Sequence, residues 1–205
     1  MSKRGRLFLV TAPSGAGKTS LVRALLKDHP NIQFSISYTT RPKRPTEEHG
    51  RDYFFVDKPE FERMVAAGEF LEHARVFDNY YGTSRRVVEG RMAEGKDVLL
   101  EIDWQGAAQV RKIMAEAVSI FILPPSRQEL ERRLRARGTD SDEVIARRLK
   151  DAAGDMTHWR DFEYVVVNQD FDRAVAELAA IVDGRGEASR AGRPELQPVI
   201  SSLLA

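Results

Sequence analysis

Apolar residues along the chain follow two rhythms. Short runs of apolar residues at Arg6–Thr11, Asp97–Asp103, Val118–Leu123 and Phe162–Asn168 have the length and β-branched content of sheet strands. Between and after them lie stripes of helical spacing. Leu21, Val22, Leu25 and Leu26 form one, ended by Asp28-His29-Pro30-Asn31. Val110 and Ile113 mark another, Ile145, Leu149, Ala152 and Met156 a third, and Phe171 to Val182 is amphipathic throughout. Alternating strand and helix predicts an α/β core with a parallel sheet flanked by helices.

Residues 38–95 break that alternation. Ile32–Tyr38 alternates like a half-exposed strand, and Asp52–Val56 and Glu69–Phe77 read as two more. Asp57 is placed to cap a helix through Phe61, Met64 and Val65 that Gly68 stops. Asn79–Ser84 reads as a turn into a helix through Val87, Val88 and Met92, ending at Gly95. Ser126-Arg127-Gln128-Glu129 is a capping box, and the helix behind it carries Leu130 and Leu134 on one side with Arg132, Arg133, Arg135 and Arg137 around it. Gly138 ends that helix and Ser141 caps the next. The predicted division is a core of residues 1–36, 91–125 and 158–205, an inserted mixed α/β lobe at 37–90 and a helical hairpin at 126–157. Gly184–Pro194 reads as a linker. Val199, Ile200, Leu203 and Leu204 make an apolar tail that would pack on this chain or on a second copy.

Chemistry concentrates where the first strand stops. Ala12-Pro13-Ser14-Gly15-Ala16-Gly17-Lys18-Thr19-Ser20 follows it directly and leads into a helix, the order of a phosphate-cradling P-loop. Glycines let such a loop turn its N–H groups towards an anion. Lys18 would reach the β- and γ-phosphates, and Thr19 would offer a hydroxyl to Mg²⁺. The usual pattern opens on Gly, and this chain has Ala12 there. Glu101 and Asp103 share a strand face if the strand runs to its end, at the carboxyl edge where open α/β sheets bind ligands. That suits them to hold hydrated Mg²⁺ beside a P-loop, with strand-end carboxylates merely facing water as the weaker alternative.

A second anion site is suggested by Arg41-Pro42-Lys43-Arg44-Pro45. The prolines favour an extended, threefold backbone, which projects Arg41 and Arg44 on one side. Two guanidinium forks suit a dianionic phosphate, and a solvated basic loop would have the same composition. The arginine-lined hairpin, with Arg148 flanking its seam, reads as a lid over a triphosphate.

Composition narrows the setting. At 205 residues, 42% hydrophobic and 31% charged, the chain is an ordinary soluble protein, and its net charge of +1 gives no global field for nucleic acid or membrane surfaces. It has no cysteine, hence no disulfide or thiolate metal site, which fits a reducing cytoplasm. No apolar run is long enough for a signal peptide core or a membrane span. The four histidines, at 29, 49, 73 and 158, lack metal-ligand spacing and an obvious Ser or Cys partner, and are expected to be structural or exposed.

With Ser37-Tyr38-Thr39-Thr40-Arg41-Pro42-Lys43-Arg44 beside the P-loop, the sequence resembles the guanylate kinases, the bacterial ones most of all. Asp52–Phe55, Glu69–Glu72, Asn79–Thr83, Glu101–Gly106, Arg137–Thr139 and Ala146–Leu149 also match, in family order, over residues 6 to about 170. The resemblance implies a P-loop nucleoside monophosphate kinase that passes the γ-phosphoryl of ATP to GMP, with Mg²⁺, in purine nucleotide metabolism. It makes residues 37–90 a GMP-binding lobe and 126–157 a lid. Carried over by position, Arg41, Arg44, Tyr53 and Tyr81 would hold the GMP phosphate. Ser37, Glu72 and Thr83 would read guanine, and Asp103 would lie on the guanosine side. Ala12 to Ser20, Arg133, Arg137 and Asn168 would hold ATP, with Asn168 near the adenine. Lys18, Arg41, Arg137 and Arg148 would be the catalytic residues, and Thr19, Glu101 and Asp103 would hold Mg²⁺ directly or through water. Two other readings share these motifs: a guanylate-kinase-like protein-binding module without catalysis, and a P-loop kinase acting on a phosphorylated sugar.

Overall fold

The computed structural model of the chain describes residues 4–136, 138 and 140–205. Arg137 and Thr139 lie outside the described residues. The elements, in order, are β1 (Leu7–Thr11), α1 (Lys18–Asp28), β2 (Ile32–Phe34), β3 (Tyr38–Thr39), β4 (Phe54–Phe55), α2 (Lys58–Ala66), β5 (Phe70–Val76), β6 (Asn79–Ser84) and α3 (Arg85–Ala93). They continue with β7 (Asp97–Glu101), α4 (Trp104–Ile113), β8 (Val118–Leu123), α5 (Arg127–Arg135), α6 (Asp142–Met156), β9 (Tyr164–Val167), α7 (Phe171–Val182) and α8 (Gln197–Leu204).

Two compact units result. One holds the described residues up to Leu9 together with Pro30–Val118, and the other holds Val10–His29 and Ser119–Ala205. A five-stranded sheet runs in the order β2-β7-β1-β8-β9. Its outer pairs, β2 with β7 and β8 with β9, are parallel. The predicted α/β architecture with a parallel sheet and a separate mixed sheet is what the chain adopts.

In the first unit, β7 buries Val98, Leu99 and Leu100 almost completely, as a strand covered on both faces must. A four-stranded mixed sheet, ordered β4-β3-β6-β5, is packed by Phe61, Met64 and Phe70 with Tyr38, Val56, Val65 and Tyr80 around them. Asp57 caps α2 as expected, accepting from the Glu60 N–H at 2.9 Å.

Three readings of this unit need correction. Ile32–Tyr38 is not one strand: it breaks after Phe34, so that β2 joins one sheet and β3 the other. Asn79–Ser84 is strand β6 rather than a turn, antiparallel to β5. The turn sits at Phe77-Asp78, with Phe77 in the left-handed region at φ 55, and no Asn-Gly signal marks it. Finally, β7 stops at Glu101, and Asp103 is the N-cap of α4, accepting from the Gly106 N–H at 2.8 Å. The shared strand face of Glu101 and Asp103 therefore does not exist.

In the second unit, α7 packs on β9 and α1. Helices α5 and α6 form the predicted hairpin around Leu130, Leu134, Ile145 and Ala152, with Leu149 against them. Ser126 caps α5 by accepting from the Glu129 N–H at 3.1 Å. The capping box is only half made, because the Glu129 carboxylate is held by Arg132 and Arg133, each at 2.7 Å. Residues 184–194 are no linker. Arg190 bridges antiparallel to Tyr164 and pairs with Glu163, Arg193 donates to the Val165 carbonyl at 2.8 Å, and Ser189 and Ala191 are buried. The segment thus supplies partners to the outer strand of the sheet, whose free edge would otherwise be open. Helix α8 packs on α6, with Ile200 and Leu203 buried, so the tail spends its apolar residues on its own unit.

Candidate functional site

The predicted site residues fall into two groups, one in each unit. In the second unit the loop after β1 has positive φ at Gly15 (92°) and Gly17 (95°), and at no non-glycine residue. Ala12 therefore keeps an ordinary backbone conformation, and its methyl group carries no conformational penalty. Gly15 also needs its missing side chain: a Cβ there would lie 3.0 Å from Leu130 and Leu134 of α5. Gly17 is the N-cap of α1 and has no side chain with which to cap it. Lys18 is the first helical residue, and Thr19 and Ser20 follow it on the exposed first turn.

The loop is braced from behind. Asn168, buried after β9, donates to the Ala16 carbonyl at 2.8 Å. A Cβ on Gly17 would sit 2.4 Å from that same amide nitrogen. Arg133 donates to the Ala16 carbonyl at 3.3 Å and to the Asn168 carbonyl at 2.9 Å, with Glu129 on its Nε. Both residues expected to touch ATP thus hold the loop's own backbone. Glu129, hydrogen-bonded by Arg132 and Arg133, is driven down to about 2, so this anchor keeps its charge at any ordinary pH. Arg148 pairs with Asp140 at 3.1 Å, both half-buried. Arg137 lies outside the described residues.

In the first unit, Ser37 directly precedes β3, and the loop behind β3 carries Arg41 and Arg44. Ser37 is buried, and its carbonyl accepts from the Phe54 N–H at 2.9 Å. Arg41 lies over the rings of Tyr53 (5.4 Å) and Phe55 (5.8 Å) and donates to Glu47 at 2.7 Å. Glu47 also accepts from the backbone N–H of Arg44 at 2.8 Å, and the Arg44 guanidinium stands 3.9 Å away. The two arginines do converge, on a carboxylate that sequence reasoning missed; nothing in Thr46-Glu47-Glu48 distinguishes it from a solvated acidic pair. Burial alone would raise the Glu47 carboxyl, but its bonds to Arg41 and Arg44 outweigh that and lower it. Its contribution to stability is therefore present above the ordinary carboxylate range and lost as pH falls through the lowered value.

Tyr53 and Tyr81 meet edge to face, ring centres 6.0 Å apart. Burial, with Tyr81 and Glu101 adding to it, pushes the Tyr53 phenol up to about 12, so it stays a neutral donor. Glu72 on β5 faces Thr83 on β6: the threonine hydroxyl donates to the carboxylate at 2.5 Å, and both side chains are buried. Glu101 ends β7 half-buried, and Asp103 has one oxygen on the Gly106 N–H and the other accepting from Gln105 at 3.1 Å.

Comparison with known proteins bears on the whole chain rather than on single residues. The guanylate kinase family model matches residues 4–185. The guanylate kinase of Hydrogenovibrio crunogenus is 60% identical over 86% of this chain and 86% of its own length. That of Methylococcus capsulatus is 54% identical over 98% of both. The chain belongs to the guanylate kinase family. Its fold agrees with the crystal structure of guanylate kinase from Anaplasma phagocytophilum at a TM-score of 0.76 and 36% identity, covering 98% of this chain and 96% of the other. The family match stops at Arg185, so the strap at 184–194 and helix α8 lie almost wholly beyond it. Among the described residues no helix is long and apolar enough to cross a membrane.

Proposed function

We propose that this chain transfers the γ-phosphoryl group of ATP to GMP, giving ADP and GDP. The observation that carries the reading is a buried carboxylate, Glu72, held by Thr83 in the same unit as the paired arginines Arg41 and Arg44. Guanine presents N1–H and N2–H₂ donors on one edge, and a carboxylate accepts from both. In this reading Ser37 and Thr83 complete base recognition, with Asp103 on the guanosine side. Arg41, Arg44, Tyr53 and Tyr81 hold the GMP phosphate. Residues 12–20 and Lys18 hold the triphosphate, and Arg137 and Arg148 close on it from the lid at 126–157. The core, the GMP lobe at 37–90 and that lid are the working parts.

No general base is needed. A nucleoside monophosphate loses its second phosphate proton near ~6, so at neutral pH it is already a dianionic nucleophile. The chain's task is to hold acceptor and donor in line and to cancel charge on the transferred group. Lys18 and the lid arginines supply positive charge, and a closed lid keeps out water that would hydrolyse ATP. Arg133 and Asn168 serve by keeping the Ala16 carbonyl turned away from the phosphates. The hard oxygen donors Thr19, exposed on the first turn of α1, and Glu101, at the end of β7, suit Mg²⁺, which keeps several waters and binds chiefly through nucleotide phosphates. Bound at Thr19 with ATP, Mg²⁺ would neutralise phosphate charge. Asp103, with its oxygens engaged at the start of α4, would act through water. The setting proposed for this reaction is the cytoplasm, where ATP and GMP are both available.

A coupled assay of ADP formation tests this. GMP is expected to support turnover at least about 10³-fold better than AMP, UMP or no acceptor, the scale a hydrogen-bonding site reaches. ADP formation with a phosphorylated sugar, or with none of these acceptors, would replace the reading. The pH profile gives a second prediction. Below about 6, kcat/KM for GMP is expected to fall as the phosphate takes up its second proton. Between about 7 and 9 it stays flat, because Tyr53 titrates only near about 12. A break between those limits would mean that another group titrates in the GMP site.

A further inference from the structure

Glu72 sits on the outermost strand of its sheet, at a place where strand pairing alone does not fix it. Strand β5 is the edge of the order β4-β3-β6-β5. Its register with β6 slips between Phe70, opposite Ser84, and Glu72, opposite Thr83, which leaves Leu71 as one extra residue. The bulge resets the alternation of faces, and Phe70, Leu71 and Glu72 are all buried in succession. Without the bulge Glu72 would point with the opposite face. An edge strand also leaves one row of its N–H and C=O groups without a neighbouring strand.

Helix α4 lies against β5 and partners part of that row. The side chain of Gln109 accepts from the His73 N–H at 3.2 Å and donates to the His73 carbonyl at 2.7 Å. A primary amide carries a donor and an acceptor side by side, so it pairs with the open edge as a neighbouring strand would. It does so at the residue directly after Glu72. One turn earlier on the same face of α4 stands Gly106. A Cβ at Gly106 would lie 2.4 Å from Oε2 of Glu72, so the carboxylate occupies the space that the glycine leaves. Oε1 is held by Thr83. The carboxylate is thus set from three sides: by β6, by the bare face of Gly106, and through the backbone by Gln109.

We propose that Gln109 is a positioning residue for base selection: by completing the edge of β5 at His73, it fixes the carboxylate that distinguishes guanine from adenine. This rests on the reading of Glu72 given above. Gln109 itself touches no substrate.

The test measures kcat and KM for GMP and for AMP, and KM for ATP, in the full chain with Gln109→Met, Gln109→Glu and Glu72→Gln. Gln109→Met keeps the side-chain length and loses both hydrogen bonds. It is expected to raise KM for GMP about tenfold and to cut the GMP-to-AMP preference by a similar factor, with kcat and the ATP KM within about twofold. Gln109→Glu keeps the acceptor for the His73 N–H and turns an oxygen towards the carbonyl, so it should lose preference too. A purely structural role would lower the melting temperature and leave the preference intact. If Glu72→Gln abolishes the preference while both Gln109 variants keep it, Gln109 has no part in selection. Should Gln109→Met fail to fold, Gln109→Glu decides alone by the same criterion. If Glu72→Gln also keeps the preference, the assignment of Glu72 fails, which is a different outcome and separately visible.

Discussion

Replacing Lys18 with alanine is expected to lower kcat about 10³-fold, on the order of 4 kcal/mol of transition-state stabilisation, while KM for GMP changes less than about threefold. Lys18 opens α1 directly behind the two left-handed glycines of the loop, where, in the proposed reading, helix N–H groups and a cationic side chain would act on the same phosphate. Charge on the transferred group spreads over its peripheral oxygens as it leaves ATP. A fixed ammonium matters most at that moment. The groups proposed to hold GMP belong to the other unit, which is why binding and turnover should separate. Steady-state kinetics with each nucleotide varied in turn, together with calorimetric binding of GMP, would show the split. Equal losses in turnover and GMP affinity would refute this division of labour, since Lys18 would then be contributing to the acceptor site as well.

The parts that could be read from the sequence are those fixed by local chemistry. The buried strands, the stripes of α1 and α7, and the caps at Asp57, Ser126 and Ser141 depend on a few neighbouring residues, and they form where patterning puts them. The misreadings have other causes. Strand β6 looks like a turn because Asn79, Gly82 and Ser84 are turn residues, yet Gly82 is there to clear the ring of Phe70, which a Cβ would approach to 2.9 Å. Asp103 looks like the end of a strand until Gly106 supplies the N–H that makes it a cap. The segment 184–194 looks like a linker because its composition is polar, and its partners, Glu163 and Val165, lie 27 and 28 residues before the arginines they hold. In β6 and in residues 184–194 a contact distant in sequence overrides local preference, whereas at Asp103 a local cap wins over the strand pattern. The site divides the same way. A loop such as 12–20 is written in consecutive residues, whereas Glu47 and Gln109 acquire meaning only once Arg41 and His73 are folded against them.

Glu72→Gln is the change expected to do most to the choice of acceptor. The glutamate is 3% exposed, so little water is present to compensate for a wrong partner. One of its oxygens already accepts from Thr83, and the carboxylate as a whole offers only lone pairs. Glutamine replaces one of those oxygens with an NH₂ group. Set against guanine, that group opposes N–H donors and leaves a buried donor unpaired; set against adenine, it finds the N1 acceptor. Loss of a charged, buried hydrogen bond costs about 2.7 kcal/mol, so kcat/KM for GMP should fall about 100-fold. With AMP the same constant should hold or rise, and the ATP KM should stay within about twofold. The discriminating quantity is therefore the ratio of the two acceptors' kcat/KM values, because a general loss of packing lowers both together and leaves the ratio alone. An unchanged ratio would move base selection away from Glu72 to Ser37, Thr83 or Asp103. A collapsed ratio with intact ATP kinetics would tie it to the one carboxylate that β6 and α4 together hold in place.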